Sequence, residues 1–285
     1  MGQLNPAACN PMDGLVRREQ WHPDWLVPQW PVPSRVHAVF TTRQGGVSLP
    51  PFDSMNLGRP SDDDIQAVEV NRARLRQALG HDPNYLSQVH GIRSVELRAS
   101  VAAGTVQADA CTTAVAGVVC TIRVADCLPV LLAHATAPVV AGAHAGWRGL
   151  AGGVLQANVA QLLSLVPRKI GAAPYGAAEA DTLAWLGPCI GPGAFEVGEE
   201  VRAAFVATDP TAADLFTPGK PGKWFADLAG LARRRLAALG ITRIYGNDST
   251  PAWCTVNNRS RFFSHRRDNV ALGGSGRMAA CIWFD

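Results

Sequence analysis

Two histidines and one cysteine carry donor atoms that transition metals prefer, and each lies in a short segment rich in small residues. His90 lies in Gln-Val-His-Gly, Cys127 in Ala-Asp-Cys-Leu-Pro and His144 in His-Ala-Gly-Trp-Arg-Gly. Two imidazoles and one thiolate are typical of catalytic zinc, because three protein ligands leave the fourth tetrahedral position to water or substrate. The positions are 37 and 17 residues apart. They can therefore share an ion only if three separate elements converge.

The same residues allow other chemistry. Without a metal, Cys127 as nucleophile and His144 as base would form a cysteine-hydrolase dyad. A binding or assembly factor with a structural zinc would use the same ligands and close the fourth position. Copper is disfavoured, since the chain has seven histidines, no His-x-His pair and no methionine near the ligands in sequence to act as an axial ligand.

Two glycine-rich turns are candidate anion sites. The strand that ends at His144 passes through Gly146 into a helix, so its free backbone amides and the neighbouring Arg148 could bind phosphate. Arg43 lies between a strand and two glycines. Its guanidinium could clamp an oxyanion with two hydrogen bonds or tie down a loop.

Two carboxylates and a second thiol are further candidates. Asp109 and Asp126 are best placed in the sequence to orient a ligand histidine or to act as a base, and capping of a turn is the competing role for both. Cys189 lies at the tip of a stiff Gly-Pro-Cys-Ile-Gly-Pro turn and is a candidate pocket wall. The chain lacks the His-x-Glu and Pro-Cys-x-x-Cys motifs of zinc nucleobase deaminases, so that signature is absent.

Apolar patterns predict the elements that position these side chains. They indicate strands at 35–42, 117–124, 128–134, 138–145, 182–186, 242–245 and 278–284, and helices at 62–79, 149–166, 198–208 and 225–239. Strands and helices are interspersed without a regular βαβ alternation. This arrangement favours an α/β (α+β) fold with mixed sheets in one domain.

Composition indicates a globular protein. The 285 residues are 47% hydrophobic and 17% charged, which is enough to bury a large core. Residues 1–34, rich in proline and tryptophan, predict an irregular arm ahead of a single domain at 35–285. The net charge of +3, without a block of like charges, argues against a nucleic-acid partner.

The chain has the features of a cytoplasmic protein. No window approaches 18 uninterrupted apolar residues, which predicts no membrane span, and the N-terminus lacks the apolar core of a signal peptide. Seven cysteines are spread singly along the chain, as expected of reduced thiols. We expect a monomer or a weak homo-oligomer.

Seven segments, in order, resemble the laccase-like polyphenol oxidoreductase family, whose members are also described as purine nucleoside phosphorylases and as a peptidoglycan-editing factor. The segments are Thr41–Gly46, Asn56–Gly58, Gln88–Gly91, Val124–Pro129, His144–Gly149, Gly187–Gly191 and Ser264–Asp268. The resemblance covers about residues 35–285. Only the N-terminal arm lies outside it.

The resemblance implies a four-layer α/β/β/α sandwich with zinc bound by His90, Cys127 and His144. It implies phosphorolysis of adenosine, inosine, guanosine and 5′-methylthioadenosine to free base and ribose 1-phosphate, with adenosine deamination at the same site. On this basis we expect catalysis to involve Cys127, His144, Asp126 and Arg43, and substrate or phosphate binding to involve Arg43, Gln88, Gly146, Arg148 and Cys189. A copper polyphenol oxidase, a metal-free hydrolase and a peptidoglycan-editing factor are the alternatives.

Overall fold

Thirteen strands and seven helices are present in the computed structural model, which describes residues 21–59, 62–167 and 177–285. The strands are β1 (Val36–Phe40), β2 (Pro83–Tyr85), β3 (Ser94–Glu96), β4 (Ala110–Thr113), β5 (Val119–Val124), β6 (Leu128–His134), β7 (Val140–Ala145), β8 (Thr182–Leu186), β9 (Glu196–Gly198), β10 (Phe216–Pro218), β11 (Lys223–Ala226), β12 (Arg243–Gly246) and β13 (Met278–Phe284). The helices are α1 (Ile65–Leu79), α2 (Trp147–Gly152), α3 (Val154–Ser164), α4 (Ala177–Ala180), α5 (Glu199–Val206), α6 (Leu228–Ala238) and α7 (Val270–Leu272). Segments of 3₁₀ helix lie at Pro210–Leu215 and Pro251–Trp253, and a turn of π-helix lies at His265–Asn269.

The strands form three sheets, two of them mixed. The four-stranded sheet has the order β1-β13-β5-β2, and the six-stranded sheet has the order β12-β8-β6-β7-β4-β3. In the first, β2 runs parallel to β5 while the other pairs are antiparallel. In the second, the two edge pairs are parallel and the central pairs are antiparallel. A small antiparallel sheet, β10-β11-β9, completes the set.

Strands with two apolar faces separate the molecule into layers. In β6, Val130 and Leu132 pack toward helices α3 and α6, while Leu131 and Ala133 pack toward the other sheet. The same alternation lets β13 contribute both to the space between the sheets and to the space under α1. Three apolar interfaces therefore separate four layers in the order helix, sheet, sheet, helix. The predicted α+β class is confirmed.

Two tryptophans of the N-terminal arm pack on the outer face of the four-stranded sheet, whereas Leu26, Trp30 and Val32 of the arm pack against the cluster between the two large sheets. Trp21 and Trp25 are buried with residues of α1 and β13, and the Trp21 indole donates to the carbonyl of Ala78 at 2.8 Å. Residues 1–20 lie outside the described residues. None of the described helices is long and apolar enough to cross a membrane.

Two predicted helices have different bounds in the structure. The helix predicted at 149–166 begins earlier, at Trp147, and is interrupted at Gly153, whose φ of 105° lies in the left-handed region that favours glycine. The helix predicted at 225–239 begins only at Leu228, because Lys223–Ala226 pairs with β9 and Asp227 caps the first turn through the amide of Gly230. The remaining predicted strands and helices are confirmed to within a few residues.

Candidate functional site

Three elements bring His90, Cys127 and His144 together. One donor atom from each lies within 4.8 Å of the others. His90 follows β2, His144 is the penultimate residue of β7, and Cys127 lies in the short connection from β5 to β6. Because β5 and β6 belong to different sheets, Cys127 marks the point where the chain passes from one sheet to the other. The donor set and its spacing fit a single metal ion, as the sequence predicts.

The backbone is in the left-handed region at His90 and at Asp126, the residue before Cys127. His90 has φ of 62° and Asp126 has φ of 82°, and they are two of the three non-glycine residues with positive φ in the described part of the chain. Such conformations persist where surrounding contacts hold them in place. The Asp126 carboxylate accepts hydrogen bonds from the Thr255 hydroxyl and, at 2.6 Å, from the amide of Arg266. Asp126 thus fixes the turn that presents Cys127.

A buried carboxylate orients His144. Asp109 Oδ1 accepts from His144 Nδ1 at 2.8 Å. The same carboxylate accepts from the amides of Val89, His90 and Gly91 at 3.1, 2.8 and 2.8 Å. Asp109 therefore both caps the turn that carries His90 and leaves His144 Nε2 as the nitrogen available to a metal. The two roles weighed from the sequence are combined in one residue.

The electrostatics of the centre favour a thiolate in the absence of metal. Burial raises the pKa of Cys127, but the charge of His144 and hydrogen bonds from His144 and His90 outweigh it, and the pKa is lowered to about 6. Burial lowers the pKa of His144, but Cys127 and Asp109 outweigh it, and the pKa is raised to about 9. Between pH values of about 6 and about 9, Cys127 is therefore a thiolate and His144 an imidazolium. His144 must lose a proton before it can bind a metal.

Gly146 is required by the close approach of two ligands. A Cβ atom at this position would lie 2.9 Å from Cys127 Sγ and 3.1 Å from His90 Cδ2. Its own backbone is ordinary, with φ of −63° and ψ of 158°. The requirement for glycine here comes from the metal centre and not from the chain conformation.

The metal centre forms one wall of a cleft of about 430 Å³. Other walls are apolar or aromatic, including Trp147, Phe195, Ile190 and Leu228. The remaining lining is polar and mostly basic, and it consists of Arg59, Asp62, Gln88, Arg123, Asp126, His265, Arg266 and Arg277. An apolar cleft with a few convergent charged groups is the usual form of a small-molecule site.

The basic wall is made of arginines without a balancing number of acidic neighbours in the cleft. Burial and the neighbouring charge of Arg72 lower the pKa of Arg123 to about 10. Burial also lowers the pKa of Arg277, whose Nη1 donates to the carbonyls of Ser275 and Gly276. Crowded like charges are unfavourable unless a ligand offsets them. The wall is therefore suited to an anion.

Arg43, predicted to bind phosphate, is not among the residues that line this cleft. Its buried guanidinium donates to the carbonyls of Asp53 and Arg259 at 2.8 and 3.0 Å and pairs with the Asp53 carboxylate at 2.9 Å. It also stacks on Phe263. Arg43 thus has the other role that the sequence allowed, that of tying down a loop.

Arg148 and Cys189 also lie outside the cleft lining, whereas Gln88 lies within it. Arg148 is exposed, with its guanidinium 4.4 Å from the centre of the Trp147 ring. Cys189 is buried and its thiol accepts from the Asn247 amide. The Gln88 amide bonds with both the N–H and the carbonyl of Arg123, so it holds the cleft wall together.

Sequence reasoning missed Arg59, Arg123 and Arg277 because they are isolated basic residues in three separate segments. Arg123 had one signal, a charged residue near the end of an otherwise apolar strand. His265 lies in one of the seven segments that carried the family resemblance, but its type alone gave no role. Only the fold brings these residues to one surface.

The positions of the methionines are relevant to copper binding, because a blue copper site usually has an axial methionine ligand. Met55 and Met278 are fully buried in apolar clusters, and neither lines the cleft. Met1 and Met12 lie outside the described residues. Among the described residues, therefore, no methionine faces the cleft beside His90, Cys127 and His144.

Residues 37–285 match the family described as multi-copper polyphenol oxidoreductase laccase. The chain is 47% identical over 261 residues to a purine nucleoside phosphorylase of Pseudomonas aeruginosa and 45% identical over 261 residues to the purine nucleoside phosphorylase YfiH of Escherichia coli, each comparison covering 91% of this chain and 98% of the relative. The crystal structure of the Neisseria meningitidis protein NMB0706 has a TM-score of 0.80 at 41% identity, and covers 92% of this chain and 99% of its own. The chain therefore belongs to this family and is an enzyme.

Substitution of Gly146 tests the geometry of the centre. In Gly146→Ala, the new methyl group would displace the Cys127 thiolate or the His90 ring, so we expect loss of most bound metal with the fold retained. Metal content per chain by mass spectrometry and the Tm measure the two effects. Gly193→Ala is the matched control, since a Cβ there meets nothing within 4 Å. Full metal content in Gly146→Ala would contradict the arrangement.

The reactivity of Cys127 in metal-free protein tests the electrostatics. Since the pKa is lowered to about 6, the thiolate is present above that pH, and alkylation by iodoacetamide should slow as the pH falls through about 6. Peptide mass spectrometry assigns the modified cysteine, with Cys127→Ser as control. A midpoint at the ordinary thiol value near 9 would show that His144 and His90 do not activate Cys127.

Proposed function

We propose that this enzyme is a metal-dependent purine nucleoside phosphorylase. It would exchange the glycosidic bond of a purine nucleoside for a bond to phosphate, releasing the free base and ribose 1-phosphate. The observation that carries the proposal is one cleft that combines the His90, Cys127 and His144 donor set with an arginine-rich wall and aromatic side chains. The relatives named purine nucleoside phosphorylase support the same reaction.

His90, Cys127 and His144 would hold the metal, and we propose zinc. The set fits, because two imidazoles and a thiolate whose pKa is lowered match the preference of zinc for N and S ligands. When bound, zinc supplies Lewis-acid stabilisation of negative charge that develops on a substrate. The buried Asp109 and Asp126 would orient the ligands, and Asp126 also lines the cleft.

Arg59, Arg123 and Arg277 would bind phosphate. Each lines the cleft, and the pKa of Arg123 and of Arg277 is lowered, first by burial, while both groups remain cationic at neutral pH. Bound phosphate would offset their mutual repulsion and be held against the ribose by charged hydrogen bonds. Arg59 is the most accessible of the three.

The purine and ribose would occupy the apolar part of the cleft. Trp147 and Phe195 offer aromatic surface for a purine, and Ile190 and Leu228 continue that surface. His265 faces the same space, and burial together with the charge of Arg277 lowers its pKa, so the imidazole is neutral at neutral pH. A neutral imidazole both donates and accepts, and we propose that it hydrogen-bonds the departing base.

Adenosine deamination at the same site is a second proposal. His90 is exposed and Cys127 is partly exposed toward the cleft, so the metal centre is accessible to water as well as to substrate. Water would attack C6 of the purine and ammonia would leave, so the glycosidic bond would stay intact and phosphate would take no part. A preference among adenosine, inosine, guanosine and 5′-methylthioadenosine stays a prediction, as do the cytoplasmic location and the monomeric or weakly oligomeric state.

Two alternatives remain distinguishable from this proposal. Polyphenol oxidation by copper would need a redox metal in the same donor set, and neither described methionine lines the cleft. A Cys127–His144 hydrolase, including a peptidoglycan-editing activity, would use the thiolate directly and would need no metal. Dependence on metal and on phosphate separates the three reactions.

Product analysis tests the proposal directly. With inosine as substrate, we expect hypoxanthine and ribose 1-phosphate in equal amounts, only when phosphate is present, and loss of both after a chelator removes the metal. With adenosine, inosine that forms without phosphate would support deamination. Cys127→Ala should lose metal and turnover but keep its Tm within a few degrees, because the core does not depend on the metal. Turnover that survives the chelator would favour the cysteine dyad.

Substitution of Arg59 tests the phosphate site. Arg59→Gln removes a charged donor with little structural role, so the phosphate KM should rise about tenfold, as expected for loss of one charged hydrogen bond, while the nucleoside KM changes little. Arg98→Gln is the matched control, since this exposed arginine pairs with Glu96 and does not line the cleft. An unchanged phosphate KM in Arg59→Gln would exclude Arg59 from phosphate binding.

A further inference from the structure

One buried carboxylate contacts two of the three candidate metal ligands. Asp109 is fully buried, and its Oδ1 accepts from His144 Nδ1 and from the amide of His90, both at 2.8 Å. Its Oδ2 accepts from the amides of Val89 and Gly91. All four donors come from the two segments that carry the imidazoles.

The backbone of Asp109 also links the segment that follows His90 to the strand that carries His144. Its amide donates to the carbonyl of Arg93, just after the His90 turn, and its carbonyl accepts from the amide of His144 at 2.7 Å. A fully buried carboxylate is costly unless it is well paired, and here four hydrogen bonds satisfy it. The residue therefore has one rigid position between the His90 turn and β7.

We propose that Asp109 is a positioning residue that preassembles the metal centre by fixing both imidazole ligands through one carboxylate. The proposal rests on the metal site of the proposed function and adds the residue that sets the affinity of that site. A purely structural cap of the turn would need only the three backbone amides. The fourth hydrogen bond, from His144 Nδ1, is the one that a cap does not explain.

The hydrogen bond to His144 determines which ring nitrogen carries the proton. With Nδ1–H donating to the carboxylate, Nε2 has a free lone pair for the metal. In Asp109→Asn, the amide NH₂ group must face either His144 and His90 or the amides of Val89 and Gly91. The first choice favours the tautomer with the proton on Nε2, which cannot bind metal. The second choice loosens the turn that carries His90.

Zinc binding to Asp109→Asn tests this role without any substrate. Competition with a chromophoric chelator should show zinc affinity lowered about 10-fold to 100-fold, the range for loss of a carboxylate partner of a ligand histidine. Asp227→Asn is the matched control, because Asp227 also accepts from a backbone amide and a hydroxyl, of Gly230 and Ser249, but contacts no metal ligand. A folded Asp109→Asn protein with zinc affinity within twofold of the unchanged chain would overturn the proposal.

A second measurement covers the case in which Asp109→Asn does not fold. In the unchanged, zinc-loaded chain, ¹⁵N NMR of the histidine rings should show His144 protonated at Nδ1 and metal-bound at Nε2. Coordination through Nδ1 would overturn the proposal. Since neither readout uses a nucleoside, a chain that binds zinc as expected but lacks phosphorolysis would refute the proposed function and leave the role of Asp109 intact.

Discussion

The geometry of the site depends on the passage of the chain from the four-stranded to the six-stranded sheet between β5 and β6. Only three residues, Ala125, Asp126 and Cys127, separate these strands. So short a connection leaves the backbone few conformations, and the left-handed φ at Asp126 is the one adopted. The carboxylate of Asp126 stabilises it through Thr255 and Arg266. The thiol of Cys127 is thereby held at the junction of the two sheets, facing His90 and His144.

Arginines that stabilise the fold have different charged neighbours from arginines that face the cleft. Arg43 and Arg267 each pair with a carboxylate and donate to backbone carbonyls, so their positive charge is offset within the protein. For Arg277, burial lowers the pKa while Cys127, Asp62 and Asp126 raise it. Arg123 instead has three other arginines, Arg72, Arg59 and Arg277, among the groups that lower its pKa. The fold maintains this repulsion although it opposes stability. Like charges that the fold holds close together at a cost in stability are typical of a binding site.

Most of the elements predicted correctly have apolar residues on one or both faces over five or more positions. Strands β6, β7 and β13 are buried along their whole length, and their sequences show it. The short strands β2, β3 and β9 have only three residues each, too few for a period to emerge, and they exist because neighbouring strands pair with them. Local pattern therefore predicted most strands of the two large sheets but missed β2, β3 and β4.

The donor chemistry of the candidate metal site and the resemblance to the family follow from residue types and motifs alone. Residue types and segment motifs are local properties, so His90, Cys127 and His144 could be selected before any contact was known. Which arginines face the cleft, and which carboxylate accepts from His144, depends instead on tertiary contacts. Arg43 has a motif suited to phosphate but pairs with Asp53, whereas Arg277 has no such motif and lines the cleft. Burial and pairing of charge depend on residues distant in sequence, and only the folded chain brings those residues together.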